Sequence, residues 1–99
     1  MTADEILQQC SATLMQRGKQ YDPATTRERS AERAAIIYNE TFCINGSTNL
    51  EPSDVWTGLI AVKLARLRTA KEPAVVQDTI IDIINYFALL GEELTQHPK

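Results

Sequence analysis

The chain has 99 residues, 43% of them hydrophobic and 23% charged, with a formal net charge of −3. That is the ordinary composition of one globular domain, long enough for a modest core that self-association would help to bury. The acidic balance argues against general nucleic-acid binding, which needs a strong basic excess. Cys10 and Cys43 have neither CxxC spacing nor a nearby histidine, since His97 is the only one, so no cysteine–histidine metal site is expected. Two free thiols in a reducing compartment are the plainer reading. With no apolar leader and no unbroken run of about 20 apolar residues, a cytoplasmic protein without a membrane partner is expected.

Four helices are expected along the chain. Thr2 and Glu5 form a capping box for a first helix over 3–17, with Ile6, Leu7, Cys10 and Leu14 on one face. Gly18 is expected to end it, and 18–26 reads as a loop because Asp22-Pro23 opposes helix continuation. Thr25 and Glu28 open a second helix, over 27–42, whose buried side is expected to be Ala31, Ala34, Ala35, Tyr38 and Phe42. NGSTN at 45–49 is a loop by composition. Pro52 suits the first turn of a third helix over 52–69, with Trp56, Leu59, Ile60, Lys63 and Leu67 on one stripe. An ammonium in the middle of an apolar stripe needs either a route to water or a partner.

Glu72-Pro73 separates this helix from a fourth over 74–93, leaving 94–99 as a tail. In the fourth helix Asp78, Asp82 and Asn85 share one narrow stripe within an almost continuous apolar run. So much apolar circumference marks the central helix, with Ile80, Ile84 and Phe87 expected in the core. The polar stripe then faces solvent, pairs with Lys63 or Arg66, or lines a ligand or metal site; the spacing alone leaves these open. No alternating run suggests a strand. The expected architecture is all-α, a single compact antiparallel domain of four helices. Lys63 stands about ten residues before Pro73 and Asp82 about nine after it, so an antiparallel pair brings them to one height.

The order R-G-K-Q-Y-D (17–22), L-E-P-S-D-V (50–55), K-L-A-R-L (63–67) and D-T-I-I-D-I-I-N-Y (78–86) resembles small phage- and prophage-encoded all-α proteins over nearly the whole chain. More distantly, the closing helix is similar to that of the MazG-like nucleoside triphosphate pyrophosphohydrolases, whose E-x-x-D motif holds magnesium. Thr79 stands where that motif has its Glu. The resemblance implies a MazG-like fold and a phosphorylated nucleotide as ligand, with a host signalling nucleotide among the candidates, captured in an inter-helix or inter-subunit pocket. Lys63, Arg66, Asp82, Asp78, Tyr21 and Arg17 are the candidate contacts. Two alternatives stand beside this reading. One is a divergent magnesium-dependent pyrophosphohydrolase with Asp78 and Asp82 on Mg2+; the other is a helical anti-host interaction module with no small ligand. A homo-oligomer built on the third or fourth helix is expected, because the apolar circumference exceeds what the other helices cover.

Overall fold

The computed structural model describes residues 1–21, 29–42 and 49–96. They form four helices: α1 (Ala3–Tyr21), α2 (Ser30–Phe42), α3 (Pro52–Thr69) and α4 (Pro73–Gln96). Among the described residues there is no strand, and the fold is all-α. The α3 bounds coincide with those expected. The Thr25–Glu28 capping box and Cys43 lie outside the described residues.

Local chemistry sets the helix starts. Glu5 N–H donates to Thr2 Oγ1 at 3.2 Å and Thr2 N–H donates to Glu5 Oε1 at 3.1 Å, closing the capping box ahead of α1. At α3, Glu51 N–H donates to Asp54 Oδ2 at 2.9 Å and Pro52 fills the first turn. Two ends run further than the sequence suggests. Gly18 does not stop α1, because it is buried within the helix and the turn continues to Tyr21. α4 takes in Leu94, Thr95 and Gln96, which the sequence assigns to a tail; Thr95 Oγ1 bonds back to the Gly91 carbonyl at 2.8 Å.

α3 and α4 form the most extensive helix pair, and α1 packs on α4 while α2 packs on α3. Contacts between Lys63 and Asp82 and between Trp56 and Tyr86 fix the antiparallel register of the central pair. The core gathers on Ala31, Trp56 and Leu89, with Leu14, Val55, Tyr86 and Leu90 around it. Trp56 stacks on Tyr86 with ring centroids 5.6 Å apart. Ala31 and Ala35 are buried and let α2 approach closely. Asn39 ties the two helices further: its side chain donates to the Leu50 carbonyl at 2.9 Å and accepts from the Leu50 N–H at 2.7 Å.

Burial differs from the expected pattern on all four helices. On α2, Ala34, Tyr38 and Phe42 face out rather than in. Leu7 on α1 and Leu59 on α3 are also exposed. On α4, Phe87 is 54% exposed and Ile80 and Ile84 are only half-buried, while Thr79, Ile81, Ile83, Asn85 and Leu89 are buried. α4 has turned Asp82 and Asn85 toward its neighbours, left Asp78 exposed, and turned part of its apolar surface outward. By length and composition α4 is long and apolar enough to cross a membrane, although no apolar run in it is unbroken, and 33% of its most apolar window is buried.

Trp56→Ala should cost about 3–5 kcal/mol, the usual range for deleting a buried aromatic. Urea denaturation followed by far-UV circular dichroism measures this, and a loss below about 1 kcal/mol would place Trp56 outside the core.

Candidate functional site

Asp82 lies at the middle of the inward face of α4, and cations from two other helices reach it. Arg17 on α1 donates through Nη2 to Oδ1 at 2.8 Å, and Lys63 on α3 places Nζ 2.8 Å from Oδ2. The Asp82 side chain is 14% exposed, against 19% for Lys63 and 30% for Arg17. A carboxylate this deep would be costly alone, and two charge-assisted contacts offset its lost hydration. Burial pushes the Asp82 carboxyl up, but the bonds and charges of Lys63 and Arg17 outweigh it and hold the pKa below the usual aspartate value.

Two open clefts flank this junction. The first, of about 520 Å³, runs between α1 and α4 and is lined by Gln9, Thr13 and Arg17 on one side and Gln77, Asp78 and Asp82 on the other. The second, of about 430 Å³, lies between α3 and α4, with Lys63, Arg66 and Thr69 opposite Asp78, Thr79 and Asp82. Asp78 and Asp82 therefore form the wall between them. Of the sequence-derived candidates, Lys63, Arg66, Asp78, Asp82 and Arg17 gather around these clefts. Tyr21 does not join them; it ends α1, is 54% exposed, and lines neither cleft.

The donor chemistry of the seam is uneven. Lys63 carries three N–H donors and commits its ammonium to Asp82. Arg66 is exposed at the rim of the α3–α4 cleft. Thr79, at the position of the motif glutamate, is buried and returns its hydroxyl to the Val75 carbonyl at 2.7 Å. As metal ligands, Asp78 and Asp82 would have to act without a third partner: among the described residues no group of three His, Cys, Asp or Glu side chains stands together. Each oxygen of Asp82 already serves a cation, so a divalent ion there would share an oxygen with Arg17 or Lys63 against charge repulsion.

One turn along α4, Asn85 is 3% exposed and its amide nitrogen has no hydrogen-bond partner among the described residues. Leaving such a donor unmet costs about 1–3 kcal/mol. Cys10, facing α4, is buried; its thiol contacts the Ile81 carbonyl at 3.9 Å, and burial raises its pKa. No family model matches the chain, and neither a curated protein nor a solved structure matches it.

A carboxyl whose folded pKa is depressed stabilises the fold above its unfolded value, and that contribution drains away as pH falls through the folded value. Stability should therefore hold through neutral pH and decline below about pH 4, where an unfolded aspartate begins to bind protons. Asp82→Asn should lower the neutral plateau by about 1–3 kcal/mol, since the charge of Asp82 is lost to both Arg17 and Lys63. It should also make the acid decline shallower. Denaturant midpoints between pH 3 and 7 check this, and an unchanged acid slope would remove Asp82 from the linkage.

Proposed function

We propose that this chain binds a phosphorylated nucleotide at the polar seam, without turning it over. The observation that supports this reading most is the cleft between α3 and α4, where Lys63 and Arg66 flank about 430 Å³ of open space. That volume falls within the range of small-ligand sites. Lys63 and Arg66 stand opposite Asp78 and Asp82 across that cleft, and Arg17 reaches Asp82 from its other side. Asp82 holds Lys63 and Arg17 in place from behind, and a phosphate would meet the remaining ammonium donors together with the Arg66 guanidinium.

Capture fits this seam better than hydrolysis. Triphosphate cleavage by metal ions needs several carboxylates to position them and activate water. Here Asp82 is engaged by cations, Thr79 carries no charge, and Asp78 is the carboxylate left to ligate. The resemblance of the motifs to phage-encoded all-α proteins is compatible with capture of a host signalling nucleotide. A second reading, a helical interaction module with no small ligand, draws on the apolar side chains that α2 leaves in water, among them Ile37 at 64% and Phe42 at 68% exposure.

A thermal-shift screen of purine and pyrimidine mono- and triphosphates and a cyclic dinucleotide, each with and without magnesium, tests the proposal. Binding at a hundred times Kd adds about 2.7 kcal/mol of stability, a readily measured rise in Tm. The expected result is a magnesium-independent rise with one of them. Arg66→Ala should weaken that ligand about tenfold while changing the stability of the free protein by less than about 0.5 kcal/mol. A rise that requires magnesium and releases pyrophosphate would replace capture with catalysis. No rise with any nucleotide would favour the interaction module.

A further inference from the structure

We infer that a second copy of this chain packs against the outward face of α4. Ile80, Ile84, Phe87, Gly91 and Leu94 follow a 4-3-4-3 spacing, the repeat that keeps one seam turned toward a partner helix. None of the five is fully buried within one protomer: Phe87 is 54% and Leu94 44% exposed, and the other three are half-buried. The seam lies on the far side of the helix from Asp82, since a step of two residues turns the helix by about 200°. Phe87 alone leaves about 100 Å² of ring in water, roughly half the area an aromatic side chain buries in a core.

Charge selects the occupant. Val76, Gln77, Ile80, Ile84, Phe87, Ala88, Gly91 and Leu94 span this outward face without one ionised group, in a chain that is 23% charged. A basic or acidic partner would find nothing to pair with there, whereas a like seam meets it without repulsion. A lipid surface is a poorer fit. Helices that lie on anionic membranes carry Lys and Arg on their polar face. α4 has neither, and carries Asp78, Asp82, Glu92 and Glu93 instead. α4 also suits an antiparallel copy of itself: a two-fold pairing centred on Phe87 sets Ile80 of each helix level with Leu94 of the other.

Multi-angle light scattering of the whole chain at tens of micromolar tests the inference. The expected mass is about twice the 11.1 kDa of one chain. Phe87→Lys and Leu94→Lys alter side chains outside the protomer core, so each should retain the helical spectrum and scatter as one chain. The Tm of the unaltered protein should rise with protein concentration, as mass action requires of a dimer. This keeps the inference testable if either variant fails to fold. A single-chain mass for the unaltered protein, folded variants that keep the doubled mass, or a Tm independent of concentration would each overturn it. So would a single-chain protein that co-floats with neutral or anionic phospholipid vesicles, which would assign the face to a membrane. None of these outcomes depends on whether a nucleotide binds the seam.

Discussion

A charge with little access to water needs countercharge within reach, and Asp82 draws that countercharge from two directions. Arg17 reaches it from α1 and Lys63 from α3, each at 2.8 Å. Because the two cations bind different oxygens, the carboxylate sets the rotation of α4 against both neighbours at once. A one-residue slip along α4 would swing Asp82 about 100° away from them and break its contacts with the Arg17 guanidinium and the Lys63 ammonium. The apolar surface of α4 is spread around most of its girth and would tolerate several rotations. The ion triad supplies the discrimination that hydrophobic burial, being non-directional, lacks.

This division of labour explains what could be read from the sequence. The number of helices, the absence of strand signals and the α3 bounds follow from caps, prolines and 3.6-residue periodicity, which are local. The meeting of Lys63 and Asp82 follows from counting outward from the Pro73 break, because both helices rise by the same amount per residue. Rotation was the illegible part. A pattern rich in Ile on nearly every side does not say which side is inward, and hydrophobicity alone favours Ile80, Ile84 and Phe87. The structure turns Asp82 inward instead, because a charged group can occupy the interior when its partners come from adjacent helices, and it buries Asn85 one turn along.

Other differences have the same origin. Ala31 and Ala35 are buried on α2 while the larger Tyr38 and Phe42 stay outside, since close approach to Trp56 selects small side chains over apolar area. Arg17 belonged to a basic stretch in the sequence, and nothing in its spacing singled out Asp82 as its partner 65 residues away. The clamp of Asn39 on Leu50 was equally hidden, because a side chain bonded to both backbone groups of one residue leaves no periodic trace. Tyr21 shows the reverse. It shares the R-G-K-Q-Y-D stretch with Arg17 and stands one turn further along α1, yet its ring is exposed and lines neither cleft.

Placing Asp82 and Asn85 inward also divides α4 into two faces of different chemistry. The inner face holds Asp82 with its cations and borders both clefts; the outer face carries the uncharged 4-3-4-3 seam. A ligand entering beside Lys63 and Arg66 and a partner packing on Phe87 would therefore touch one rigid helix from opposite sides without competing for a surface. Coupling between them could pass only through the rotation of α4, which the Asp82 triad opposes. An anion that draws Lys63 away would weaken that hold, while a partner on the outer seam would reinforce it by fixing the far side. By reciprocity, an assembly that stiffens α4 and a ligand that loosens it must disfavour each other by the same factor. A ligand that leaves the triad intact would bind one chain or two alike.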